Sequence, residues 1–133
     1  MPKLIVVYGT SNSGKTSSVV HFVENYRNVT ASPFPELITF PIQKNGNWLL
    51  GVAKDGDSAR HVQSAVGLFA SRNCDIVVCT TKSRGASVRA LNAFVAANPH
   101  ITVVSIASSP TAAPALQVAA NAAVALAIEQ NIP

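Results

Sequence analysis

Residues Lys3–Tyr8 read KLIVVY, and the chain then passes through Gly9 and Gly14, which bracket four small polar residues, before Lys15 and Thr16. A run as apolar as Lys3–Tyr8 is typical of a strand buried on both faces of a parallel sheet. From Lys15 to Tyr26 the apolar positions Val19, Val20, Val23 and Tyr26 recur at helical spacing. Strand, tight glycine loop and helix in direct succession commit the chain to helices packed on a sheet.

The rest of the chain repeats that alternation. Leu37–Gln43 and Trp48–Ala53 are short apolar runs joined around Asn45-Gly46, a strong hairpin signal. Pro41 lacks a donor and assigns the first run to a sheet edge. Asp57-Ser58 is placed to cap a helix running to about Arg72, with Val62, Ala65, Val66 and Phe69 inward. Asp75–Thr80 and Ile101–Ile106 read as two more buried strands. Between them Gly85 precedes a helix with Val88, Leu91 and Val95 in register, stopped at Asn98-Pro99. The Ala-rich stretch Ala112–Ile128 ends the chain as a helix apolar nearly all round, interrupted by Gln117 and Asn121. At 133 residues this predicts a single domain over 1–133, an α/β three-layer sandwich with a mainly parallel sheet and an antiparallel edge hairpin.

The loop Gly9–Thr16, GTSNSGKT, satisfies every fixed position of the pattern G-x-x-x-x-G-K-[ST]. Glycines at both ends allow backbone conformations that turn successive N–H groups inward around an anion. The helix that starts there aims its positive end at the same point. In this segment the chain resembles the P-loop NTPase superfamily, and beyond it the likeness is one of architecture. Short stand-alone P-loop proteins of phages and mobile elements are similar in size. The resemblance implies a P-loop NTPase type of fold, with phosphates cradled by Gly9, Thr10, Ser11, Asn12, Ser13, Gly14, Lys15, Thr16 and Ser17. Lys15 would bridge the terminal phosphates and the Thr16 hydroxyl would ligate Mg2+.

A P-loop enzyme also needs an acid beyond a strand's C-terminal end. The strand DIVVCT ends in Thr80-Thr81, with Asp75 at the opposite end, so Asp75 reads as a strand-start residue. WLLGVAKDGD offers Asp55 and Asp57 instead; Asp57 suits either the helix cap or the metal site, and Asp55 reads as a turn residue. Thr80–Gly85 leaves a core strand at the end where ligands bind in open α/β sheets, so Lys82 or Arg84 is placed to stabilise phosphate charge, with Arg84 preferred. GTPases carry N/T-K-x-D there; Thr81-Lys82-Ser83-Arg84 has arginine in place of the aspartate, which makes ATP the default nucleotide. His21, His61 and His100 read as surface or packing residues, Trp48 as a packing anchor, and the loop Arg27–Glu36, with Thr30 and Glu36, as a segment of minor interest.

Composition narrows the partners. Apolar residues make up 48% and charged ones 12%, the balance of a compact globule. The net charge is +4, but Lys54, Arg60, Arg72, Lys82, Arg84 and Arg89 are dispersed and do not interleave with aromatics. Such dispersal suits an anionic small ligand and leaves nucleic acid unsupported, though open. Neither the first apolar run nor the tail is long enough for a signal sequence or a bilayer span. Cys74 and Cys79 at two ends of one strand would lie roughly 16 Å apart, beyond disulfide reach, which fits a reducing cytoplasm. The expected function is a Mg2+-dependent ATPase or ATP-driven switch in which Lys15, Asp57 and Arg84 act on the phosphates. A small-molecule or nucleotide kinase and a non-catalytic nucleotide-binding module are the alternatives, with self-association through the last helix as an expected interaction.

Overall fold

The computed structural model describes residues 2–9, 14–27, 37–56, 58–108 and 114–132. Five strands form one sheet: β1 (Lys3–Tyr8), β2 (Leu37–Gln43), β3 (Asn47–Ala53), β4 (Ile76–Thr81) and β5 (Thr102–Ala107). Their order is β2-β3-β4-β1-β5. β1 pairs in parallel with β4 on one side and β5 on the other, β3 runs parallel to β4, and β2 is antiparallel to β3 at the edge. Helices α1 (Lys15–Tyr26) and α5 (Pro114–Gln130) pack together on one face, and α2 (Ala59–Val66), α3 (Leu68–Ser71) and α4 (Ala86–Ala97) belong to the other.

The pleat divides the core between these layers. Ile5 and Val7 of β1 and Ile76 and Val78 of β4 meet Val19, Phe22 and Val23 of α1 and Val124, Ala125 and Ile128 of α5. Leu4, Val6, Val77 and Cys79 point the other way, onto Val62, Ala65 and Val66 of α2 and Leu91 of α4. Phe22, absent from the helical stripe read in the sequence, is the largest fully buried side chain of α1.

The hairpin forms as expected. Asn45 and Gly46 both have positive φ, 53° and 138°, and the Trp48 indole packs beneath the turn with Nε1 donating to Lys44 O at 2.9 Å. Pro41 lies in β2, whose ladder partner is β3 alone.

Of the pair read as a cap, Ser58 serves, its hydroxyl accepting from His61 N at 3.2 Å, while Asp57 lies outside the described residues. Two expectations need correction. The helix expected to run to about Arg72 is interrupted at Gly67 and resumes as the one-turn α3. The strand expected to be buried, β5, is an edge strand: α5 reaches one face, while Val103 on the other is 36% exposed. Its apolar composition reflects one covered face and its ladder with β1 rather than burial on both sides.

Candidate functional site

The C-terminal ends of β1, β3, β4 and β5 lie along one edge of the sheet, and the glycine loop leaves from β1, between β4 and β5. α1 leaves β1 on one face and α4 leaves β4 on the other, so the crevice above β1 and β4 is a topological switch point, where open α/β sheets bind ligands. Gly9 N donates to Thr81 O at 3.2 Å and anchors the start of the loop to β4. At its other end Gly14 adopts φ 86°, ψ 15°, the left-handed conformation that turns the chain into α1. Ser18 then closes the first helical turn, its N and Oγ donating to Gly14 O at 2.8 and 2.7 Å.

Lys15 is 6% exposed, and its ammonium donates to Gly9 O at 2.8 Å, bridging the two ends of the loop. A long cation held this deep by the loop's own carbonyl is placed where an entering anion would meet it. Thr16 Oγ1 donates to Lys54 O at 3.0 Å, and Thr80 Oγ1 approaches the same carbonyl at 3.4 Å. These contacts tie the start of α1 and the end of β4 to the segment that follows β3. Gly56 lies so close to β4 that a Cβ on it would fall 1.5 Å from Thr80 O. The Lys54–Gly56 segment therefore crosses directly over β4 beside Thr16.

Of the residues expected from sequence, Gly9, Gly14, Lys15, Thr16 and Ser17 gather at this end of β1. Thr10, Ser11, Asn12, Ser13 and Asp57 lie outside the described residues, as do Thr30 and Glu36. Asp55 is half-buried in the crossing segment. Asp75 sits at the far end of β4, where its carboxylate accepts from Leu49 N at 2.8 Å and its own N donates to Leu49 O at 2.9 Å, the strand-start role read from sequence. Arg84 is exposed on the loop after β4. Lys82 in the same loop has its backbone N held by Ser87 Oγ at 3.2 Å. His61 Nδ1 meets Ser58 Oγ at 2.9 Å, and His100 is exposed.

Two contributors were missed in the sequence. Gln117 and Asn121 of α5 lie against Gly14: Gln117 Nε2 donates to Asn121 Oδ1 at 2.8 Å, and Ser18 Oγ is 3.3 Å from that same oxygen. Their signal was their spacing, since two amides four residues apart share one face of an otherwise apolar helix. Thr80 and Thr81, both buried, supply the polar end of β4.

No group of three or more His, Cys, Asp or Glu residues that would hold a metal occurs among the described residues. A Mg2+ bound with phosphate does not require one, because it keeps waters and takes one or two protein oxygens. The Thr16 hydroxyl, beside the Lys54–Gly56 segment that carries Asp55, fits that requirement. A cavity of about 670 Å3 between Phe69, Phe94 and Ile101 lies at the N-terminal ends of the strands, away from this crevice. No family model, no curated protein and no solved structure matches this chain.

Proposed function

We propose that this chain binds the triphosphate of a nucleoside triphosphate, as Mg-ATP, in the Gly9–Thr16 loop, and works as an ATPase or an ATP-driven switch on a P-loop NTPase type of fold. The observation that carries this reading is the buried Lys15 ammonium bridging the loop at the N-terminus of α1, beyond the C-terminal end of β1. Phosphate oxygens entering the loop would replace the Gly9 carbonyl as its acceptor, and the helix end and inward N–H groups would share the charge. Mg2+, when bound, would neutralise charge developing on the transferred phosphoryl group. Thr16 would hold that ion, with Asp57 the first choice and Asp55 the second for orienting it or a water. Arg84, exposed beyond β4, would add a positive charge to the site of its own chain or of a neighbour.

The threonines that end β4, and the exposed Leu116, Val118 and Leu126 on α5, favour one second reading. In it, nucleotide binding controls self-association through α5, with little turnover.

Calorimetric titration of wild type and Lys15→Ala with Mg-ATP and Mg-GTP, followed by phosphate release on the same samples, tests both readings. Wild type is expected to bind Mg-ATP, Lys15→Ala to lose at least tenfold in affinity, and only wild type to release phosphate. Binding without release moves the conclusion to the switch. Absence of binding to wild type overturns the phosphate site itself.

A further inference from the structure

A cavity of about 430 Å3 lies between α1 and α5, walled at one end by Thr16 and Ser17, then by Val20, His21 and Glu24, and across from them by Val118. Its volume falls within the roughly 300–1,000 Å3 of small-ligand sites. We infer that this cavity takes the base and ribose of the nucleotide, an inference that rests on the phosphate site proposed above.

Position supports it first. Thr16 ends the glycine-loop motif and, with Ser17, lines the cavity, so the cavity begins at the N-terminus of α1. At 1.5 Å of rise per residue, His21 and Glu24 lie about 6 and about 10 Å along the helix axis from Ser17. A nucleoside running away from its innermost phosphate along α1 meets both in turn.

The chemistry of the lining agrees. Among the described residues no lysine or arginine borders the cavity, and Glu24 places a carboxylate there, which disfavours a second anion and suits ribose hydroxyls or an exocyclic amine. His21 Nδ1 is buried without a hydrogen-bond partner among the described residues. Such an atom is destabilising while it has no partner, and His21 is one of the residues that line the cavity a base would enter. Val20 and Val118 supply apolar walls on opposite sides, and Val118 is 64% exposed, ready to be covered by a flat heterocycle. Asn121 at the inner end also packs on Gly14, linking the cavity to the loop.

The test is calorimetric titration of Mg-ATP against Mg-tripolyphosphate, which presents the phosphates without a nucleoside, on wild type, Val118→Trp and His21→Leu. Wild type is expected to bind Mg-ATP at least tenfold more tightly than Mg-tripolyphosphate. Val118→Trp, which fills the cavity from an exposed position, and His21→Leu, which removes the buried nitrogen, are each expected to bring that ratio within threefold. Their affinity for tripolyphosphate is expected to move by less than twofold, which also shows that they fold. Equal affinities in wild type, or a ratio unchanged in both variants, overturns the nucleoside assignment and leaves the phosphate site standing. If neither ligand binds wild type, the phosphate site fails and this inference falls with it.

Discussion

At Gly14 the backbone turns through φ +86°, and a Cβ there would stand 2.3 Å from Asn121 Oδ1 and 2.5 Å from Gln117 Nε2. Left-handed strain and contact with α5 therefore act on the same atom. Gly14→Ala is expected to lower stability by about 2 kcal/mol, from roughly 1 kcal/mol of backbone strain and a similar cost of displacing the amides. Thermal unfolding of Gly14→Ala and of Gly14→Ala/Asn121→Ala separates the two. The second change should return part of the loss, up to about half, if crowding contributes as the geometry says, and none if φ alone decides. Gly56 presents the opposite case, a close approach without left-handed strain. Its Cβ would meet the Thr80 carbonyl, which is backbone and cannot swing away. Gly56→Ala is thus expected to push the Lys54–Gly56 segment off β4 and break the Thr16–Lys54 hydrogen bond, read as a lower urea midpoint than wild type. An unchanged midpoint would show that the segment moves aside without cost. The glycine loop was legible because the tasks of Gly9, Gly14, Lys15 and Thr16 are local to eight residues. Gln117 and Asn121 were not, because their partner lies about a hundred residues away and nothing between them marks the contact.

Among the elements, α5 shows how far composition misleads. Its inner stripe, Val124, Ala125 and Ile128, is buried, while Leu116, Val118 and Leu126 are exposed, so an all-round apolar helix turns out to be covered on one side. What holds its end in place is polar. Arg27, stacked 5.9 Å from the Phe22 ring, forms an ion pair with Glu129, the two side chains 10% and 20% exposed. Lys44 donates to Glu129 O at 2.6 Å and Lys3 to Asn131 O at 2.6 Å, cations placed where a helix C-terminus favours them. Glu129→Ala leaves the Arg27 guanidinium largely buried without its carboxylate and is expected to cost about 2 kcal/mol. The urea midpoint should fall with the slope unchanged. A midpoint equal to wild type would mean that the Arg27–Glu129 pair contributes nothing to the docking of α5. The same contrast between local and distant causes explains which elements were readable. The β2–β3 hairpin followed from Asn45-Gly46 and Pro41, all within the turn and its flanks. β5 was readable as a strand but not as an edge, since its exposure depends on how far α4 and α5 reach across the sheet.

For the molecule as a whole, the alternation of strands and helices announced the α/β layers, whereas the order β2-β3-β4-β1-β5 came from packing that no single segment contains. That order puts β4 beside β1 in the middle of the sheet, every residue of β4 buried, and places Cys79 within the α2–α4 layer of the core. Burial pushes the Cys79 thiol from its ordinary 9.0 up to about 12. Cys74 is also raised, first by burial and then by the neighbouring Asp75 charge. The consequence is a pH dependence of folding. In the native state Cys79 keeps its proton between pH 9 and about 12, while the unfolded chain loses it. The native state then binds more protons, so stability is intact below pH 9 and falls as pH rises through that window. By pH 11 the loss due to this thiol should be on the order of 3 kcal/mol. Other groups titrate in the same range, and Cys79→Val isolates this one, because valine fills a similar space without a proton to lose. Urea unfolding at pH 8 and pH 11 should show wild type losing more stability than Cys79→Val across that interval, with the two nearer one another at pH 8. Parallel losses in both proteins would mean that the β4 core opens readily enough for the thiolate to reach water, and that the centre of the sheet is less tightly closed than its packing implies.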